Sequence, residues 1–291
     1  MTLGDRPFWG PDAARAGGIS KALVDREFRR MHRGVRISPA KKMGPLDGIQ
    51  GAVLRAGPGA VVFGLSAAFL HGVTWYDDES PIEICRNSTG QGRHRGGVRV
   101  HRSDLAPTDV TTIDGLRVTN PIRTAYDLGR RPPRWRALGH LDDLVQSTGL
   151  DVKALWRYVV DHPDTRGIRQ IRALIPHIDP ASESPPESWM RLLIVEGGLP
   201  RPESQIVVHD SDGVEFARLD LGYRRFKLGI EFDGAEFHSS AEQKHHDEQR
   251  DRRLARLGWT IIRVTAERLR EYPQDLVGEI ETALRACGAY R

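Results

Sequence analysis

The sequence predicts a mixed α/β (α+β) protein with a mixed sheet in its C-terminal part. Three observations lead to this prediction. Segments typical of helices alternate with short apolar runs typical of strands. Clusters of glycine, proline and serine separate these segments, as loops do. The chain has 291 residues, which is long enough for about two domains with their own cores.

The composition is that of an ordinary globular protein with a mild basic bias. Charged residues make up 28% and hydrophobic residues 39%. The net charge of +4 and the pI of about 9.2 favour polyanionic partners. Cys85 and Cys287 lie far apart without CxxC spacing, which argues against a disulfide framework or a zinc site. No signal-peptide pattern or membrane-length apolar run occurs, so a cytoplasmic protein without a membrane partner is expected.

The first predicted domain, residues 1–50, has the order of a winged helix-turn-helix. A short helix at residues 11–16 ends at two glycines, and Ser20 can cap a second helix that runs to Phe28. A strand with alternating apolar and basic residues follows at 31–37. This order is typical of a DNA-binding unit, although a helical cap with solvated arginines is the alternative. The side chains predicted to contact DNA are Arg15, Lys21, Arg26, Arg29, Arg30, Arg33 and Arg36.

Residues 51–178 form the second predicted domain, a small α+β unit. It starts with an apolar stretch at 61–73 that is interpreted as a buried helix, followed by strands and further helices. Proline, serine and acidic residues then cluster at 179–186, and this cluster predicts a domain boundary.

The third predicted domain, residues 179–291, has the order helix, three-stranded meander, helix, strand and helix. The predicted elements lie near residues 187–196, 205–208, 215–222, 227–232, 240–257 and 259–265, with a last helix that ends near 286. This order is that of an α/β layout with a mixed sheet.

Acidic residues interrupt the apolar strands of this third domain. Asp220 lies between two leucines, and Glu231 and Asp233 alternate with apolar residues. A carboxylate in such a strand is unfavourable by several kcal/mol unless something pairs with it. Because strands alternate faces, Glu231 and Asp233 project to one side, and three carboxylates converge if the strand of Asp220 lies alongside.

A divalent metal ion is the simplest partner for such carboxylates. Mg²⁺ and Mn²⁺ prefer oxygen ligands, and in phosphodiester hydrolysis they neutralise charge and activate water. Asp220 and Glu231 are the expected ligands, with Glu187 reaching the site through water. These residues predict a metal-dependent nuclease.

A series of short motifs runs in order through residues 183–286. The motifs are Glu187-Ser188, a following Gly-Leu-Pro, Leu219-Asp220, Ile230-Glu231-Phe232-Asp233-Gly234, His238, Asp247-Glu248-Gln249-Arg250-Asp251 and Gly258-Trp259-Thr260-Ile261-Ile262-Arg263. This series resembles the endonuclease-like domains related to very-short-patch repair endonucleases, in the PD-(D/E)xK superfamily with its restriction-endonuclease-like fold. The resemblance implies that Asp220 and Glu231 bind metal, that Glu187 is a supporting acid and that His238 transfers protons.

One position departs from the superfamily pattern. A lysine is expected two residues after the second acid, and Asp233 stands there instead. Such a lysine orients water and neutralises developing charge. Arg250 or Lys244 on the following helix is the expected replacement, while Asp233 can bind metal or orient His238.

Each candidate residue also has a structural interpretation. Asp220 can pair with Arg218 or Arg263, and His238 can cap the next helix. Asp233 can end a strand at a turn, and Arg250 can belong to an exposed helical ion pair of little energetic weight.

The N-terminal part of the chain carries a second resemblance. The motifs are Gly34-Val35, Gly64-Leu65-Ser66-Ala67-Ala68-Phe69-Leu70-His71-Gly72 and Val118-Thr119-Asn120-Pro121-Ile122-Arg123-Thr124-Ala125-Tyr126-Asp127-Leu128. They are similar to the AbiEi-type antitoxin and transcriptional-regulator family, which pairs a winged helix-turn-helix with a second small domain. The resemblance implies DNA binding.

Two functions follow from these patterns. The first is a DNA-binding protein whose C-terminal domain is a metal-dependent endonuclease, with RNA as a further substrate of the same chemistry. The alternative is an antitoxin-like transcriptional regulator whose nuclease fold does not cleave.

Overall fold

A computed structural model describes residues 3–16, 19–76, 79–86, 97–234 and 241–289 of the chain, except for the side chains of 241–244. The strands are β1 (Phe8–Trp9), β2 (Arg29–His32), β3 (Val35–Ile37), β4 (Val61–Val62), β5 (Ile82–Arg86), β6 (Val98–Arg102), β7 (Val110–Ile113), β8 (Leu116–Thr119), β9 (Glu203–His209), β10 (Glu215–Tyr223), β11 (Leu228–Asp233) and β12 (Thr260–Thr265). Helices and strands alternate, so the predicted mixed α+β fold is confirmed.

Helices of two to four turns connect these strands. They are α1 (Gly10–Ala16), α2 (Lys21–Glu27), α3 (Pro45–Ala56), α4 (Gly64–Leu70), α5 (Pro121–Gly129), α6 (Arg134–Thr148), α7 (Val152–Asp161), α8 (Ile168–Leu174), α9 (Pro185–Glu196), α10 (Ala241–Arg256), α11 (Ala266–Glu271) and α12 (Pro273–Ala286). Across the described ranges, none of the helices has the length and apolar character needed to cross a membrane. The chain divides into two compact units, residues 1–130 with 147–166 and residues 131–146 with 167–291.

The N-terminal part of the first unit is a small sheet with two short helices. Its strand order is β1-β3-β2, and both pairings are antiparallel. Ser20 caps α2, because its hydroxyl accepts a hydrogen bond from the Leu23 amide at 3.1 Å. The single strand predicted at 31–37 is instead a hairpin, since Gly34 turns the chain between β2 and β3 with a φ of 82°.

A five-stranded sheet follows in the same unit, with the order β6-β5-β4-β8-β7. The helix predicted over residues 61–73 is wrong at its start, where Val61 and Val62 form β4. Both residues pair with β5, and Val62 also pairs with Val118 of β8. β-Branched side chains fit such a buried central strand, and the helix therefore begins only at Gly64.

Buried charges in this unit are paired with one another. The Arg123 guanidinium on α5 donates hydrogen bonds of 2.8 Å to Asp109 and to Asp127. Its remaining amino group donates to Ser103 at 3.0 Å, and the Tyr158 hydroxyl donates to Asp109 at 2.9 Å. The carboxylates and the guanidinium are all buried, and each has several partners.

The second unit has a four-stranded mixed sheet with helices on both faces. The order is β12-β11-β10-β9; β11 and β12 are parallel and the other neighbours antiparallel, as the predicted mixed sheet requires. Met190 and Ile194 of α9 pack with Ile230 on one face. On the other face Leu219 packs with Leu254 of α10.

Helix α9 is anchored by a buried ion pair. Arg191 on α9 and Asp142 on α6 are 1% and 0% exposed and form a salt bridge. The Ser188 hydroxyl and the Asp179 amide also donate to Asp142, at 2.6 and 2.8 Å. Burial raises the pKa of Asp142 to about 7 although these donors act in the opposite direction. The anchor fixes the helix that carries Glu187 one turn earlier.

Candidate functional site

Asp220 lies where the two central strands of the second sheet separate. The pairing of β10 with β11 ends at Leu221 and Ile230. At the next position the Phe232 amide donates a hydrogen bond of 2.8 Å to Asp220 Oδ2. The carboxylate takes the place of a backbone acceptor in the ladder, so a strand rather than a loop determines its position.

Glu187 lies in the first turn of α9, and its carboxylate is buried. One of its oxygens accepts hydrogen bonds from the Glu183 amide at 2.9 Å and from Gln205 Nε2 at 2.8 Å. Gln205 lies on β9 with a φ of 52°, a left-handed conformation that a glutamine rarely adopts. Glu187 is therefore held by two donors.

Glu231 has a cationic partner. Both terminal nitrogens of Arg250 on α10 contact its carboxylate, one of them at 3.2 Å, in a bidentate salt bridge. Planar guanidinium groups favour this geometry with carboxylates. Arg250, one of the two cations expected to replace the missing lysine, is thus in contact with a candidate metal ligand.

The structural alternatives for these acids are also decided by their contacts. Arg218 pairs with Glu183 at 2.8 Å, and Arg263 pairs with Asp251 at 2.7 Å. Neither arginine pairs with Asp220. Among the described residues, the Phe232 amide is the only hydrogen-bond donor to that carboxylate.

Burial and two nearby carboxylates disfavour the ionised form of Asp220. Burial raises the pKa of Asp220 to about 6, and the negative charges of Glu187 and Glu231 add to this effect. The Phe232 hydrogen bond and the charge of Arg250 act in the opposite direction without balancing it. A group with this shift, next to other charged groups, is typical of a functional site.

The three strand carboxylates that were expected to converge have different surroundings. Asp233 is exposed at the end of β11, and Arg250 contacts Glu231. Within the ranges that the structure describes, no group of three or more His, Cys, Asp and Glu side chains is arranged to hold a metal ion.

The remaining donors nevertheless fit a hard cation. Mg²⁺ commonly binds through one or two carboxylates and completes its coordination with waters and substrate phosphates. Asp220 and Glu231 provide two carboxylates on neighbouring strands, and the unbalanced negative charge at Asp220 favours a cation. Two of the predicted participants, His238 and the side chain of Lys244, lie outside the described residues.

The seven basic side chains predicted to contact DNA fall into two groups. Arg15 pairs with Asp12, Arg26 with Glu27, and Arg29 donates to the Lys41 carbonyl. These three cations are therefore already engaged with neighbouring groups.

The other four basic side chains line one cleft. They are Lys21, Arg30, Arg33 and Arg36. Arg55 of α3 joins them, although it lies outside the residues that sequence reasoning selected. Its position in the last turn of an amphipathic helix gives no signal of this role.

Two family matches cover most of the chain beyond residue 60. Residues 203–284 match the restriction-endonuclease-like family REase_MTES_1575, inside the predicted third domain. Residues 60–177 match the family described as AbiEi antitoxin C-terminal domain, inside the predicted second domain. Both resemblances stated from the sequence are confirmed. The second match begins after the basic N-terminal helices and hairpin.

Two relatives from Mycobacterium tuberculosis are similar over most of their length. They are uncharacterized protein Rv2248 of strain H37Rv and uncharacterized protein MT2308 of strain CDC 1551. Each is 31% identical over 216 residues, which cover 74% of this chain and 78% of the relative. A solved structure, that of RV2827C protein from Mycobacterium tuberculosis, is similar at 17% identity and a TM-score of 0.42, over 59% of this chain and 71% of that chain.

Proposed function

This chain belongs to the family of the Mycobacterium tuberculosis proteins Rv2248 and MT2308, and we propose a function for it. The proposal is based on the side chains of its second unit. The function is divalent-metal-dependent hydrolysis of DNA phosphodiester bonds. The observation that carries the proposal is the charge at Asp220, a strand carboxylate whose pKa is raised by burial and by the negative charges of Glu187 and Glu231. The match to a restriction-endonuclease-like family supports it.

The side chains have distinct roles in this proposal. The Phe232 amide orients Asp220, which is ionised above pH 6 and offers an oxygen donor beside Glu231. A bound Mg²⁺ or Mn²⁺ supplies charge neutralisation at the scissile phosphate and lowers the pKa of water. Gln205 and the Glu183 amide hold Glu187 as a supporting acid.

Arg250 supplies the positive charge that Asp233 cannot. Both terminal nitrogens of its guanidinium contact Glu231, and the same planar group can bind phosphate oxygens. Asp220 and Glu231 would hold the metal ion, and Arg250 would contact the scissile phosphate with the guanidinium that pairs with Glu231 in this structure. This assignment gives Arg250 the part that the lysine has in the superfamily pattern.

A nicking assay tests the proposal. Supercoiled plasmid incubated with the protein and Mg²⁺ or Mn²⁺ should be cut, and chelation with EDTA should stop the reaction. Asp220→Asn and Glu231→Gln should each reduce the rate by about 100-fold or more, the size typical for loss of one contact at the reacting group. Asp212→Asn makes the same chemical change on the exposed turn before β10 and should leave the rate unchanged. A labelled RNA in parallel reports whether the chemistry extends to RNA.

The second candidate function is an antitoxin-like DNA-binding regulator that does not cleave. The observation that favours it is the Arg250–Glu231 salt bridge, which occupies a candidate metal ligand with a protein cation. Metal-independent DNA binding in a gel shift, together with no cleavage in either metal, would select this candidate. Cleavage that persists equally in both carboxylate variants would contradict the catalytic assignment.

A further inference from the structure

A cleft of about 680 Å³ lies in the N-terminal part of the first unit. Its walls come from α1, α2, the β2–β3 hairpin and the end of α3. The volume lies within the range of pockets that hold one small ligand. It is concave, whereas a helix that reads the major groove of DNA protrudes from its domain. The cleft therefore suits a compact ligand rather than a duplex groove.

Positive charge is concentrated around this cleft. Five cationic side chains and one carboxylate, Asp25, line it, for a net charge of +4. The cationic residues are Lys21, Arg30, Arg33, Arg36 and Arg55.

Among the described residues, one of these cations is neutralised by an acid of the protein. Arg36 forms a salt bridge with Asp25 and is 13% exposed, so it is part of the wall. Across the ranges that the structure describes, Lys21, Arg30, Arg33 and Arg55 form no ion pair, and all four are exposed. Four unpaired cations around one volume repel one another, and a multiply charged anion relieves that repulsion.

Part of the lining of the cleft is apolar. It includes Trp9, Pro11, Ala14 and Val24. Trp9 is held against the hairpin turn, since a Cβ added at Gly34 would lie 2.5 Å from its ring. The Gly10 amide also donates to the Gly34 carbonyl at 2.8 Å, which fixes the turn beside β1. An indole in a fixed position offers a surface for a planar ring.

We propose that this cleft binds a nucleotide unit that carries a terminal phosphate. The four unpaired cations receive the phosphate, and the wall formed by Trp9 and Val24 receives the base. A terminal phosphate carries up to two charges, against one for a phosphodiester, and so matches the density of cations better. The ligand has two sources, the phosphorylated end of a nucleic acid strand and a free mononucleotide. The inference is independent of DNA cleavage by the second unit.

Fluorescence polarisation with short single-stranded DNA tests the inference. Three oligonucleotides of one sequence carry a 5′ phosphate, a 3′ phosphate or hydroxyl groups at both ends, and the fluorophore sits at an internal base. The Asp220→Asn variant is used without added metal, so that cleavage is absent. We expect one phosphorylated end to bind about 10-fold or more tightly than the hydroxyl form, as one to two charge-assisted hydrogen bonds imply.

Two substitutions test the cleft itself. Arg33→Gln and Arg55→Gln should each remove most of the preference for the phosphorylated end. Arg157→Gln, which removes an exposed arginine of α7 that pairs with Asp151, should leave the preference unchanged.

Competition identifies the source of the ligand. Displacement of the oligonucleotide by adenosine or thymidine monophosphate supports a free mononucleotide, and a preference without such displacement supports a strand end. Equal binding of all three oligonucleotides, or a preference that survives both arginine substitutions, would overturn the proposal.

Discussion

Two groups of acids, one buried and one partly buried, differ in how their charge is balanced. In the first unit, Asp109 and Asp127 share the guanidinium of Arg123, and Arg130 adds a second cation to Asp127 at 2.6 Å. In the second unit, Arg250 pairs with Glu231, and the negative charges of Glu187 and Glu231 raise the pKa of Asp220. The first group needs nothing from outside the chain, whereas the second has charge left for a ligand.

The pKa shifts express the same contrast. Burial lowers the pKa of Arg123, but the carboxylates beside it outweigh burial and raise the pKa above its usual value. At Asp220, burial and neighbouring carboxylates act together and raise the pKa to about 6. Removing one partner of a matched buried pair destabilises a fold, whereas unmatched charges identify a candidate site.

The largest effect is expected from removal of the cation in the balanced group. Arg123→Met leaves two buried carboxylates without their shared partner and should lower the free energy of unfolding by about 3–5 kcal/mol. Urea unfolding followed by circular dichroism measures this loss. Arg157→Met, which removes an exposed arginine of the same unit, should change stability by less than about 0.5 kcal/mol. Similar effects of the two substitutions would mean that the buried network does not stabilise the fold.

Neutralising an acid in the second group should raise the free energy of unfolding, in contrast to the loss expected for Arg123→Met. The pKa of Asp220 in the folded chain is about 6, above its usual value of 3.8, so ionised Asp220 destabilises the fold. Asp220→Asn should therefore raise the free energy of unfolding by about 1–2 kcal/mol at pH 7.5.

The stability difference between Asp220→Asn and the native chain should depend on pH, and this dependence is a control. Protonated Asp220 is neutral like asparagine, so the difference should shrink as the pH falls through 6 and vanish near 3.8. A gain that stays constant over this range would show that it does not come from the carboxylate charge. Asp127→Asn, in the balanced group, should instead destabilise the protein.

The apolar runs of the sequence were sufficient to predict that Asp220 and Glu231 lie on strands, which are the neighbouring strands β10 and β11. The sequence also predicted that Glu187 begins a helix, and in the structure Ser184 caps that helix. The hypothesis that Arg250 replaces a lysine rested on helical spacing, and a salt bridge to Glu231 gives it a specific contact.

Other features depend on tertiary structure and left no signal in the sequence. Gln205 contacts Glu187 because β9 adopts a left-handed φ, which sequence patterns rarely indicate for a glutamine. Arg55 lies well beyond the basic helices and lines their cleft only through the packing of α3. Asp233 was grouped with the other acids because periodicity determines the face of a strand but not where the strand emerges into solvent.

A smaller effect is expected on metal binding as the pH changes. A proton and a cation compete for Asp220, and the proton is bound below a pH of about 6. The affinity for Mn²⁺ should therefore fall by about tenfold between pH 7.5 and pH 5, measured by calorimetry on protein that remains folded. The Asp220→Asn variant should bind Mn²⁺ weakly and with little change over this range. An affinity of the native chain that does not vary with pH would remove Asp220 from the ligand set.

The smallest predicted effect tests whether Arg250 competes with a metal ion for Glu231 or orients Glu231 as a metal ligand. Arg250 is half-buried and competes with a cation for this carboxylate, so Arg250→Gln should raise the affinity for Mn²⁺ by about 3–5-fold, equivalent to a salt bridge of about 1 kcal/mol. If the arginine also contacts the scissile phosphate, cleavage at saturating Mn²⁺ should fall in the same variant. Electron paramagnetic resonance of free Mn²⁺ measures the first quantity and plasmid nicking the second. Weaker metal binding in Arg250→Gln would mean that the guanidinium orients Glu231 as a metal ligand and does not compete with the metal ion for this carboxylate.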